Sequence, residues 1–142
     1  MTASVDDALE RLRRQDASVP PPGTTLSIAE MAQRAGVTAH TLRYYERIGL
    51  LEVARDAGGH RVYDAGDYAR VVFLTRLRMT GMPIRDLKRY VALVADGDAS
   101  VPERLAMLQE HRDAIRIQLM ELQLALETVE YKITSYGGAC AP

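Results

Sequence analysis

Apolar side chains recur along this chain at helical spacing in five stretches, most of them bounded by a capping residue, a glycine or a proline. Ser27 with Glu30 has the capping-box spacing, and Ile28, Met31, Ala32 and Ala35 then form an inward stripe that Gly36 closes. One residue later Thr38 is placed to cap a second helix. On it Leu42, Tyr45 and Ile48 share one side, and Gly49 ends it. His40, Arg43, Tyr44 and Arg47 line the opposite side at offsets of three, four and seven. Two short helices joined by a tight glycine turn predict a helix-turn-helix, whose second helix enters the major groove of DNA. From Leu50 to Tyr63 two short extended runs flank Asp56-Ala57-Gly58-Gly59, the pattern of a small hairpin. Arg55 and Arg61 stand beside its tip, so the hairpin reads as a basic wing.

Asp64 to Thr80 predicts a helix whose apolar residues, Tyr68, Val71, Val72, Phe73, Leu74, Leu77 and Met79, run nearly all round. Such a helix is expected to be buried on more than one side and to form the centre of its domain. Gly81-Met82-Pro83 breaks it, and Ile84, Leu87, Tyr90, Val91 and Val94 form a single stripe on a fourth helix. A small polar loop, Ala95-Asp96-Gly97-Asp98-Ala99, leads to Ser100 and Glu103, the predicted cap of a last and much longer helix.

On that helix, spacings of three and four continue without a slip through Leu105, Leu108, Arg112, Ile115, Leu119, Leu122, Leu126, Val129, Ile133 and Tyr136. More than four heptads with one polar interruption is a coiled-coil seam. About 35 residues at roughly 1.5 Å each give a rod of about 50 Å. A lone helix of that length cannot bury such a seam on a small domain, so it needs a partner, most simply its own copy. Ile117, Leu124 and Tyr131 form a second stripe away from the seam. It points to contact with another part of the dimer or, together with Tyr90, to a pocket for a small apolar effector.

Residues 1–23 look like an appendage. Ser4 with Asp7 has capping-box spacing, and Val5, Ala8, Leu9 and Leu12 make a weak stripe, so a short helix is one reading. It runs into Pro20-Pro21-Pro22-Gly23, which reads as an extended linker. The expected organisation is an extension over 1–23, a DNA-binding domain over 24–95, and a dimerisation helix with a short tail over 96–142.

Charge adds a polarity to this plan. The net charge is −1, yet residues 24–95 carry eleven Arg or Lys against seven Asp or Glu, and residues 96–142 carry four against eight. The first stretch is therefore net +4 and the second net −4, which marks one part for a polyanion and one that avoids it. All but two of the eighteen cations are Arg, the side chain suited to bidentate contact with phosphate or guanine. The chain has no Asn, which removes adenine recognition by that residue. A single cysteine, Cys140, excludes an intrachain disulfide, speaks against a cysteine-rich metal site, and reads as a solvent-exposed thiol of the tail. No nucleophile paired with a base, carboxylate pair or Gly-rich phosphate loop is evident, so no catalytic residue and no cofactor is assigned. No apolar run approaches the length of a membrane span, and the first residues lack the basic and apolar regions of a signal peptide. A cytoplasmic protein without a membrane partner is expected.

The order of parts, with Leu42-Arg43-Tyr44-Tyr45-Glu46, Gly49-Leu50-Leu51, Arg55, Gly59-His60-Arg61-Val62-Tyr63 and Gly81-Met82-Pro83-Ile84, resembles the MerR family of bacterial transcription regulators across residues 25–136. The resemblance implies a mainly α fold: a winged helix-turn-helix DNA-binding domain followed by a long antiparallel coiled-coil dimerisation helix. It implies a homodimer on a palindromic promoter element, acting by distorting double-stranded DNA, and touching RNA polymerase only indirectly, through the promoter. Carried over, Arg43 approaches bases or backbone, and Tyr44, Arg55, Arg61 and Tyr63 hold phosphates. Thr38, His40, Thr41, Arg47 and His60 complete the expected DNA-facing set. His60 stands where the family more often has Tyr, and Gly58 where it often has Asn. Metal-sensing members carry cysteines at the start of the dimer helix, where this chain has Ala99-Ser100-Val101. The resemblance is therefore to the cysteine-poor, stress-responsive members, with no metal ligands assigned. Two other readings stay open on the residues alone: an architectural or excisionase-like DNA bender without an effector, and a helical interaction module whose basic face is incidental.

Overall fold

Local capping sets most of the element boundaries. In the computed structural model, which describes residues 19–139, Ser27 Oγ accepts from the Glu30 amide and the Glu30 carboxylate accepts from the Ser27 amide, which opens α1 (Ile28–Ala35). Gly36, at φ 68°, closes α1 by donating to the Ala32 carbonyl, a conformation that costs a residue with a Cβ strain. Thr38 Oγ1 accepts from the Thr41 amide at 3.1 Å and opens α2 (Ala39–Arg47). The suggested helix near Ser4 and Cys140 both lie outside the described residues.

The chain divides into two compact units, the first ending at Lys88 and the second beginning at Arg89. In the first, Met31 and Ala32 of α1 and Leu42 and Tyr45 of α2 are buried, as the stripes predict, while Ile28, Ala35 and Ile48 of the same stripes are half-buried. Leu50 and Leu51 after α2 join the core. Strands β1 (Ala54–Arg55) and β2 (Arg61–Val62) pair antiparallel, with Ala54 opposite Val62 and Arg55 opposite Arg61. The base of this wing is stitched to the start of α1. Leu26 and Tyr63 exchange backbone hydrogen bonds of 2.7 and 2.9 Å.

Helix α3 (Ala65–Met79) opens with a second capping box, Asp64 with Asp67. It buries Tyr68, Val71, Leu74 and Leu77, whereas Phe73 is part-exposed and Met79 is 80% exposed. Positions three apart drift by about 60° around a helix, so Tyr68 and Leu77 lie on opposite sides. Helix α3 is therefore buried on more than one side, as expected, though Phe73 and Met79 keep the burial from running all round. Gly81-Met82-Pro83 separates α3 from α4 (Ile84–Ala95), whose Leu87 is fully buried.

In the second unit, Asp98–Ser100 form a 3₁₀ turn that continues into α5 (Val101–Ser135), a helix of 35 residues. The predicted capping box at its start does not form. Ser100 is already in a helical conformation (φ −88°, ψ −3°), so its hydroxyl faces the carbonyls of Gly97, at 2.8 Å, and Leu93 instead of a first-turn amide. Arg104 Nε donates to the same hydroxyl at 3.0 Å, and Glu103 is ion-paired with Arg89. The turn thus replaces one side-chain cap by a small polar network. His111 is the buried residue of α5. Of the expected seam, Leu105, Leu119, Leu122, Leu126, Val129 and Ile133 are exposed in the single chain, as are Ile117, Leu124 and Tyr131 of the second stripe. Ile117 and Tyr131 are fourteen residues apart on one helix, about 21 Å, so in one chain they line no common pocket, and Tyr90 is half-buried on α4.

Candidate nucleic-acid interface

The second helix carries its polar face as predicted. His40, Arg43 and Arg47 are exposed and Tyr44 is half-buried, while Leu42 and Tyr45 are buried beneath them. The Arg47 guanidinium lies 5.4 Å from the centre of the Tyr44 ring, a cation–π contact that limits where both can move. Thr38 and Thr41, expected to face DNA, are engaged with each other. Their hydroxyls are 3.0 Å apart while Thr38 caps the helix.

Beside α2 stands the wing. Its tip is a turn held by Asp56, whose Oδ1 accepts from the amides of Gly58 and His60, both at 2.9 Å, with His60 Nδ1 3.3 Å away. Those backbone hydrogen bonds, the His60 amide first, hold the Asp56 carboxyl below its usual range. Gly59, at φ 79°, supplies the left-handed residue of the turn. Between wing, α2 and the start of α1 lies an open cleft of about 590 Å³, lined among others by Arg43, Arg55, His60, Arg61, Ser27 and Glu30. Three guanidiniums border the cleft against the two carboxylates of Glu30 and Asp56, a mixed-charge surface with a small positive excess.

Glu46, which carries no expected DNA contact of its own, organises that surface. Its Oε2 accepts from Arg61 Nε at 2.6 Å and its Oε1 from Arg55 Nη2 at 3.1 Å. Arg55 Nη1 also donates to the Gly59 carbonyl at 3.0 Å. The hydrogen bond from Arg61, supported by both positive charges, holds the Glu46 carboxyl below its usual range and raises Arg61 in turn. Because the folded value lies below the unfolded one, near 4.5, this carboxylate stabilises the fold above that pH. Its contribution is lost as the pH falls from there through the depressed value. Wild type is expected to lose more stability than Glu46→Gln between neutral and acidic pH, read as denaturant midpoints across a pH series.

Tyr63 is where the structure departs from the expected DNA-facing set. It is fully buried, 0% exposed, with its hydroxyl without a hydrogen-bond partner, and burial raises its pKa. A side chain sealed in this way cannot hold a phosphate; its ring fills the space beneath the wing. Removing an unpaired buried hydroxyl relieves a desolvation cost of about 1–3 kcal/mol. Tyr63→Phe is therefore expected to be at least as stable as wild type in urea titrations.

The similarity to known proteins follows the same elements. Family models described as "MerR HTH family regulatory protein" and "MerR, DNA binding" match residues 26–93 and 68–130. An uncharacterised HTH-type transcriptional regulator of Haemophilus influenzae is 35% identical over 118 residues, covering 82% of this chain and 87% of the relative. The chain belongs to the MerR family. Among solved structures, that of HiNmlR, a MerR family regulator lacking the sensor domain and bound to promoter DNA, is similar with a TM-score of 0.77. It is 34% identical and covers 80% of this chain and 87% of that one. AdhR of Bacillus subtilis, also named an HTH-type transcriptional regulator, is 38% identical over 91 residues, covering 63% of this chain and 65% of the relative. This MerR-family chain is a helix-turn-helix transcription regulator with a mainly helical fold, and its matched relatives carry the names of regulators.

In this MerR-family head, the structure brings Arg43, Arg55, His60 and Arg61 to one cleft, with His40, Tyr44 and Arg47 on the exposed side of the same helix. It sets Tyr63 apart in the core. Among the described residues no group of three or more His, Cys, Asp or Glu side chains is placed to hold a metal ion, and no helix is long and apolar enough to cross a membrane.

Proposed function

We propose that this MerR-type regulator works as a homodimer, with each head laying α2 in one of two successive major grooves of a palindromic promoter element. The observation that carries this reading is the pairing of two surfaces. One is the Arg43, Tyr44 and Arg47 face of α2 beside the wing cleft. The other is a seam of exposed leucines, isoleucine and valine along 35 residues of α5. A helix about 50 Å long with an uncovered seam gains from pairing with its copy, and two copies read a site of two-fold symmetry. His40 and Arg43 are the proposed base readers. Tyr44, Arg47, and the remaining donors of Arg55 and Arg61 are the proposed phosphate contacts, with His60 at the wing tip. Residues 24–95 serve as the DNA-binding domain and 96–142 as the dimerisation element.

Binding distorts the promoter, and RNA polymerase senses the protein through the altered DNA rather than through a direct surface. A small molecule or stress signal sets the balance between states, in keeping with the family. A DNA partner also places the protein in the cytoplasm.

The test is selection of a preferred duplex followed by footprinting and titration across a salt series. Protection of one palindrome with a log–log salt slope of several units supports the reading, because each neutralised phosphate contributes about 0.9 to the slope. Equal binding to any duplex would favour an architectural bender. Absence of binding would leave a helical interaction module.

A further inference from the structure

The wing is too small to hold itself in place. Each strand has two residues, and an isolated hairpin of that size is not stable in water. Its base is tied to Leu26 through Tyr63, but its tip needs a second anchor. That anchor comes from the reading helix. Glu46 lies one turn beyond Arg43 on α2, holds Arg61 and Arg55 at once, and reaches the tip through the bond from Arg55 to the Gly59 carbonyl. Two guanidiniums and one carboxylate leave the cluster with a net charge of one rather than two.

Both consequences bear on choice between DNA sequences. A free pair of arginines on a loose hairpin would reach phosphates of any duplex, which strengthens binding everywhere. A pair gripped by one carboxylate presents its unused edges at a set distance from Arg43, so wing and helix contact DNA together only when the groove and backbone match that spacing. Specificity is a difference between two affinities, and lowering the general one serves it as well as raising the particular one.

We infer that Glu46 is a positioning residue for specificity: by holding Arg55 and Arg61 of the wing against α2, it weakens binding to arbitrary DNA and sharpens preference for the operator. The inference rests on the DNA-reading proposal above. Two full-length variants test it, with affinities for the selected operator and for a scrambled duplex of equal length measured over a salt series. Glu46→Gln removes the charge. It is expected to bind the scrambled duplex at least about threefold more tightly, to steepen that salt slope by about one to two per dimer, and to lower the operator preference about tenfold. Glu46→Asp keeps the charge but shortens the reach by one methylene. Its operator preference is expected to fall by a similar factor with the scrambled-duplex slope unchanged.

If the Gln variant fails to give the wild-type circular dichroism spectrum, the Asp variant alone decides. An unchanged operator preference in the folded variants would overturn the inference while leaving the DNA-reading proposal standing. So would an equal loss on both duplexes, the mark of a purely structural tie. If wild type itself does not prefer its selected operator, the DNA-reading proposal fails and takes the inference with it.

Discussion

Leu119→Asp is expected to yield monomers that no longer protect the operator at concentrations where the wild-type protein does. Leu119 is 61% exposed in the single chain and lies one residue from the midpoint of the 35-residue α5. In an antiparallel pair centred on that midpoint, it packs beside its own copy. The substitution therefore removes two leucines from the middle of the seam and puts two carboxylates near each other in an apolar contact, a buried like-charge arrangement with no compensating partner. The loss passes to DNA binding because two linked heads bind more tightly than either alone, by about 10²–10⁴-fold. Sedimentation velocity reads the first effect and operator titration the second. Circular dichroism of the variant head should stay helical, since α1 to α3 take their caps and core from within the first unit. A stable dimer with native operator affinity would show that the seam has been drawn on the wrong face.

Arg43→Ala is expected to do the reverse, leaving the dimer intact and removing sequence preference. Arg43 is exposed on α2 and also borders the wing cleft. A bidentate arginine contact to a base contributes about 1–3 kcal/mol of discrimination, and the dimer makes it twice. Operator affinity should then fall by roughly 30-fold to 10⁴-fold, with a much smaller change on scrambled DNA. Unchanged operator affinity would take Arg43 off the reading surface. Because its side chain is exposed, the truncation leaves no cavity, and thermal unfolding should shift little.

The two substitutions divide the molecule along the charge polarity of its sequence. The basic stretch over 24–95 contains the cleft and the reading helix, and the acidic stretch over 96–142 contains the seam. A net −4 over residues 96–142, the proposed dimer element, disfavours phosphate contact there. Glu46 applies the same idea within the head, by setting an acid among the arginines.

Much of the architecture follows from the sequence by itself. Short-range rules decided the starts of α1, α2 and α3 and the end of α1, because Ser27, Thr38 and Asp64 each bond to the amide three residues ahead and Gly36 takes a conformation few others tolerate. The polar face of α2 was legible for the same reason: helical periodicity alone sorts Arg43 and Arg47 from Leu42 and Tyr45. What the sequence could not decide is where groups meet across distance. Tyr63 reads as a surface phosphate ligand until its backbone pairs with Leu26 and turns the ring inward. Ser100 reads as a helix cap until the 3₁₀ turn behind it takes its hydroxyl. Glu46 lies nine and fifteen residues before the arginines it holds, with the hairpin turn between those two, and no local rule links them. Capping and periodicity act within a turn or two of helix and are written in neighbouring residues. Burial and ion pairing depend on which segments the tertiary fold brings together, and only the tertiary structure decided those.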